Sequence, residues 1–359
     1  MAQCVISKRK DVHIVSAEQG VTGKGGLSTV GKAIIGLVAV GIFGGIYWLV
    51  VHSPVSNASA AMRVARYDVA MSALGDIPAR FSDFPGVPFH RTKVMIGVQS
   101  YRETPDWDAI GEDLKRLRAE HPRDADLMVL EARYWLRVPD YEKAGALAEQ
   151  ALKEDERNAE AWFVLGLRRE QAGDAQKAIE HYRKALEAAP ESPQYRNSLA
   201  RALLETGKPD DALAEFKTIR EFPLARLEEA TAYWAKGDMR QAAAAQKEAA
   251  SMLDNSQLAS RYHNRREWTF RVPPGNNGVS LSTGADKACY AKLSEAASRS
   301  LAGESGVAFP PAGCEQPRKE VGALLADRLC RFVEKPQPAM AGTANRLRRS
   351  LGVTGACAA

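Results

Sequence analysis

The stretch AEAWFVLGLRREQAGDAQKAIEHYRKALEAAP, Ala159–Pro190, decides the fold. It contains two amphipathic helical patterns, a glycine between them and a closing proline. Trp162, Leu165 and Gly166 recur at three- and four-residue steps, as do Ala178, Tyr182 and Ala185, so each half presents one apolar stripe. It holds no obvious nucleophile, metal cluster or phosphate-binding loop.

The pattern returns along the chain in steps of 34 residues. One step back from Ala178, Tyr182 and Ala185 stand Ala144, Ala148 and Ala151. A second step reaches Ile110, Leu114 and Leu117, with Pro122 in the closing place. One step forward gives Ala212 and Phe216, and Gly207 matches Gly173 at the turn. Gly237 and Ala242 open a last unit after a shortened junction around Phe222-Pro223. The units read as 91–124, 125–158, 159–192, 193–222 and 223–255. One such unit cannot bury its apolar stripe alone, so stacked neighbours are required, and degenerate units at the ends suit caps. The expected fold is all-α, a helical solenoid of about five helix-turn-helix units.

Trp162, Leu165, Gly166, Ala178, Tyr182, Ala185 and Pro190 together resemble the tetratricopeptide repeat family, with Arg169 departing where an aromatic is usual. Gly166 and Ala178 allow close helix approach, while Trp162, Leu165 and Tyr182 fill the space around them. The resemblance implies that the first helix of each unit lines a concave groove holding a protein or peptide partner. By repeat position it places Val129, Arg133, Phe163, Leu167, Asn197, Arg201, Leu227, Thr231 and Trp234 near that groove. Such a floor suits an apolar segment carrying an acidic residue. The Lys/Asn carboxylate clamp of some family members is absent: the corresponding positions are Val129, Arg133, Val164, Gln194 and Ser198.

Upstream, Ala33–Val51 (AIIGLVAVGIFGGIYWLVV) runs nineteen residues without a charge. At ~1.5 Å per residue this nearly matches the ~30 Å hydrocarbon core, so it reads as a transmembrane helix, with Tyr47 and Trp48 near the headgroups and His52-Ser53-Pro54 ending it. Ala58-Ser59-Ala60 offers the alternative of a cleavable signal peptide, against which stand the length of the run and the residues preceding it. Lys8-Arg9-Lys10, Lys24 and Lys32 precede the run and only Arg63 and Arg66 follow closely, which keeps the N-terminus cytoplasmic. Gly41 and Gly45 form a GxxxG pair, a spacing that permits a dimer through the span.

Of the 359 residues, 45% are hydrophobic and 26% charged, as in folded proteins. The abundance of Ala and Arg suggests a GC-rich bacterial genome. The net charge of +5 divides unevenly: residues 1–32 carry +3, residues 255–359 carry +7, and the middle carries −5. An acidic middle argues against a nucleic-acid partner. Cys289, Cys314, Cys330 and Cys357 follow the span and permit two disulfides in any of three connectivities.

The six histidines are scattered, and no H-E-x-x-H, P-loop, G-x-S-x-G or dinucleotide fingerprint occurs. Glu170, Glu180 and Glu187 read as solvated helix-surface residues. No catalytic residue, metal or cofactor is expected. The organisation reads as a cytoplasmic tail (1–32), a transmembrane helix (33–52), a juxtamembrane linker (53–90), the repeat array (91–255) and a small basic, helical, cysteine-containing region (256–359). The expected function is that of a single-pass adaptor in a bacterial inner membrane, its array periplasmic and serving assembly of an envelope complex. The alternative makes residues 256–359 an enzymatic or cell-wall-binding module that the repeats position.

Overall fold

The computed structural model describes residues 41, 44–100, 106–137, 140–254, 284–315, 317–334, 340–353 and 357. Two compact units, Met1–Leu49 and Val50–Ala359, are described separately. In the first, Gly41 and residues 44–49 are helical and exposed. The expected tail and most of the expected span lie outside the described residues, and no helix among the described residues is long and apolar enough to cross a membrane.

Trp48–His52 form a π-helical turn. Pro54 does not end a helix, as the sequence reading had it, but stands in the first turn of α1 (Ser53–Arg63). Proline is accommodated there because first-turn N–H groups lack an intrahelical acceptor. Residues 53–90, read as a linker, are largely helical: α1, α2 (Tyr67–Gly75), a 3₁₀ turn (Ala79–Phe81) and the start of α3 (Val87–Ser100). Ala58, Met62, Tyr67, Leu74 and Val94 from this stretch share one apolar core with Ile110, Leu114 and Leu127. Ala60, where a leader would be cut, lies inside α1 between the buried Ala58 and Ala61.

The repeats follow as helix pairs: α4 (Trp107–Glu120) after α3, then α5 (Ala125–Arg137) with α6 (Tyr141–Glu154), and α7 (Ala159–Gln171) with α8 (Ala175–Ala188). Next come α9 (Pro193–Glu205) with α10 (Pro209–Lys217), and α11 (Pro223–Ala235) with α12 (Met239–Asp254). First helices α5, α7 and α9 start 34 residues apart, and so do second helices α4, α6, α8 and α10. Both helices of the last pair arrive 30 residues after their predecessors. The shortfall lies in α10, which has 9 residues where α8 has 14.

Local chemistry fixes each pair. Asp140, Asn158, Asp174 and Asp238 accept hydrogen bonds from the backbone N–H three residues on, capping helix N-termini. Gly173 and Gly207 close equivalent turns at φ +75°, a left-handed conformation that side chains other than glycine rarely adopt. A Cβ at Gly166 would collide with the Tyr182 ring, so glycine there admits the ring between α7 and α8. Ala144, Ala148 and Ala151 on α6, and Ala178 and Ala185 on α8, are fully buried, which lets successive helices pack closely.

Three further helices, α13 (Gly284–Leu301), α14 (Lys319–Glu334) and α15 (Ala341–Ser350), close the described chain. Their Tyr290, Leu293, Ala297, Leu324, Leu325 and Leu347 merge into one core with Trp234, Met239, Ala242 and Ala249 of the last pair. Disulfides join Cys289 to Cys314 and Cys330 to Cys357. This region is therefore continuous with the solenoid and covers the apolar face its last unit would otherwise expose.

Candidate functional site

The first helices α5, α7, α9 and α11 carry the residues mapped to the groove, and these divide into two rows. Val129, Phe163, Asn197 and Leu227, all at the fifth position of their units, are buried at 3–4% exposure. Arg133, Leu167, Arg201 and Thr231, one helical turn later, stay partly exposed. The first row packs between helices and the second faces outward.

Phe163 shows why. Its ring lies 5.7 Å from that of Tyr182 and 4.9 Å from that of Tyr195, wedged between its own unit's second helix and the next unit's first. Val129 belongs to the core of α5–α7 with Ala144, Ala148 and Val164. Asn197 is the polar member of the buried row, and its Oδ1 has no hydrogen-bond partner among the described residues. Direct contact with a ligand is thus confined to the second row.

That second row is already charge-paired. Arg133 Nη1 bonds to Glu160, whose side chain is fully buried and whose other oxygen accepts from the Tyr195 hydroxyl at 2.7 Å. Arg201 donates to Glu170 at 2.9 Å, and the Tyr182 hydroxyl donates to the same carboxylate at 2.5 Å. Glu170 is therefore not a freely solvated residue, since only 16% of its side chain is exposed. Burial pushes the Tyr182 hydroxyl well above its usual range and the neighbouring Glu170 adds to that, keeping it a proton donor. Burial opposes the charge on Arg201, but Glu170 and Glu228 outweigh it and raise its pKa. Because Arg133 and Arg201 already hold carboxylates, an acidic residue on a partner would have to compete with buried glutamates. Glu160 escaped the sequence reading because its partners lie 27 and 35 residues away, one unit to either side.

At the last unit the chain covers its own row. Arg328 of α14 donates to Glu228 at 2.9 Å and to Thr231 Oγ1 at 3.1 Å, with its guanidinium 5.6 Å from the centre of the Tyr290 ring. Trp234 Nε1 donates to Ser298 Oγ at 2.7 Å, and Ser298 bonds the Gln246 amide at 2.6 Å. Leu227 and Trp234 are buried in the core shared with the C-terminal helices. A bound partner would find Leu227, Thr231 and Trp234 engaged, which leaves the α5–α9 stretch, centred on Leu167. Among the described residues, no group of three or more His, Cys, Asp or Glu is arranged to hold a metal ion.

Tetratricopeptide-repeat family profiles match residues 140–193, 170–223 and 197–257. A probable biofilm formation methyltransferase, WspC, of Pseudomonas putida is 27% identical over 149 residues, covering 42% of this chain and 32% of that protein. The chain thus spans about a third of that curated relative's length. Among solved structures, MamA aligns at 18% identity over 46% of this chain and 87% of its own, with a TM-score of 0.31. YrrB, described as a TPR protein with an unusual peptide-binding site, aligns at 15% identity over 66% and 97%, with a TM-score of 0.38. The APC/C hetero-tetramer Cut9-Hcn1 aligns at 13% identity over 82% and 51%, with a TM-score of 0.49. Across residues 140–257, this chain is built of tetratricopeptide repeats.

Proposed function

We propose that this chain is a single-pass membrane-anchored adaptor whose repeat array binds a protein or peptide partner during assembly of a bacterial envelope complex. The observation that carries the binding role is the outward row Arg133, Leu167 and Arg201, which crosses three successive units and stays partly exposed while the row beneath it is buried. An apolar side chain between two paired arginines suits a segment with an apolar anchor flanked by hydrogen-bonding groups.

The membrane and compartment assignments rest on other observations. Ala33–Val51 supplies the apolar length of a span, and the basic residues before it keep residues 1–32 cytoplasmic. Two disulfides beyond the span favour an oxidising compartment, in keeping with a periplasmic array anchored in the inner membrane. In the span, a Cβ at Gly41 or Gly45 would meet nothing within 4 Å, which leaves room for a second copy to approach.

Affinity capture from solubilised membranes tests the binding role. The wild-type chain should retain a discrete protein that Leu167→Asp loses, with the variant's thermal unfolding little changed. Equal recovery by both chains would overturn it. Deleting residues 260–359 no longer separates an adaptor from a C-terminal effector module. That deletion also strips the cover from Leu227 and Trp234, so loss of function would follow on either reading.

A further inference from the structure

The large hydrophobic side chains standing exposed among the described residues all fall between Ile46 and Met95. Four belong to residues 46–49, and the other three are Val69, Phe84 and Met95. The repeats over 125–254 and the C-terminal helices expose none among their described residues. Soluble surfaces scatter such side chains, whereas their concentration in one region marks a surface with an apolar partner.

Phe84 is 39% exposed, in the loop between α2 and α3. A three-residue turn, 64–66, joins α1 to α2, and the two pack as a helical hairpin, so the end of α2 returns towards the first turn of α1. Phe81 of the loop packs against the same apolar cluster as Val50 and Val55. The loop thus belongs to the part of the folded unit where the apolar run Ala33–Val51 joins it. Pro78, Ala79, Arg80, Phe84 and Pro85 are exposed. The Phe81 and Phe84 rings meet edge to face at 6.4 Å, and the Arg80 guanidinium lies 5.1 Å from the centre of the Phe81 ring. An aromatic pair with an arginine whose charge remains at the surface matches the chemistry of the lipid headgroup layer.

We propose that the 78–86 loop is a second membrane contact, seated in the headgroup layer of the bilayer with Phe84 as the inserted side chain. The proposal rests on reading Ala33–Val51 as a span. It makes the hairpin α1–α2 a base resting on the membrane, with the repeat array carried on that base.

The full chain carrying Cys4→Ser and Phe84→Cys, labelled at residue 84 with an environment-sensitive fluorophore, tests it in phosphatidylcholine vesicles doped with headgroup-proximal spin-labelled lipid. A control chain carries the label through Lys217→Cys, an exposed site on α10, and both must match the wild-type circular dichroism. Quenching at 84 several-fold above that at 217, with the chain retained after a carbonate wash, is the expected result. Retention with equal quenching at both sites would overturn the loop contact and leave the span intact. Release by carbonate would overturn the span itself, and the loop contact with it.

Discussion

Arg328→Met tests how the C-terminal helices are held to the array. Only 12% of the Arg328 side chain and 7% of the Glu228 side chain are exposed, and the ion pair closes at 2.9 Å. The guanidinium also donates to Thr231 and lies near the Tyr290 ring, so methionine keeps much of the stem packing but removes the cation and its donors. Glu228 would then stay buried with its charge uncompensated, a situation that costs about 3–5 kcal/mol. Replacing both partners is far milder, because no charge is stranded: Glu228→Gln with Arg328→Met should return to within ~1 kcal/mol of the wild type. The assay is urea unfolding of the detergent-solubilised chain, with hydrogen exchange of α13 and α14 read alongside. The single variant should unfold at lower urea and exchange faster in those helices, and the double variant should recover most of both. A single variant indistinguishable from wild type would refute the reasoning, because it would mean that Glu228 is solvated.

Other substitutions test the two-row description and the solution chemistry. Phe163→Ala, which empties the space between Tyr182 and Tyr195, should cost about 3–5 kcal/mol in urea unfolding, whereas Leu167→Asp should cost about 1 kcal/mol; equal costs would contradict the division. Burial first, and then Lys93, hold the His90 imidazole down to about 4. The unfolded chain therefore takes up this proton first as pH falls, and the His90 contribution to stability is full above ~6.5 and declines as pH drops towards 4. His90→Gln should flatten the dependence of the urea midpoint between pH 7 and pH 5, and an unchanged slope would oppose the assignment. Intact-mass analysis without reductant should show two disulfides, and Cys330→Ser with Cys357→Ser should cost ~2–4 kcal/mol for a bridge spanning 27 residues; two free thiols at these positions in the native chain would contradict the pairing.

The helix pairs were legible in the sequence because small residues and ring residues recur at a fixed step. Gly166 and Tyr182 could be read as one close approach, and Gly173 and Gly207 as equivalent turns. The two rows were not separable. Residues five and nine of a unit lie one helical turn apart on the same face, so periodicity groups Phe163 with Leu167. What parts them is the next unit's Tyr195, which covers one and not the other. Glu160 was hidden for a related reason: single-chain patterning reads a glutamate as solvated, and its partners arrive from both neighbouring units. The C-terminal region has no repeat register, and its excess of basic residues suggested a solvated surface. Yet Arg318 and Arg328 pair with Asp286 and Glu228, and the helices that carry them continue the solenoid core. Pro54 misled because proline ends one helix or opens another, and the alternative depends on a π turn that composition does not reveal.

The adaptor role is tested most directly by a photo-crosslinking residue placed at position 167 of the full chain in intact cells, with position 217 as the comparison. A discrete protein adduct from 167, absent from 217, is the predicted result. The same adduct pattern from both positions, or none from either, would contradict a partner seated on the outward row.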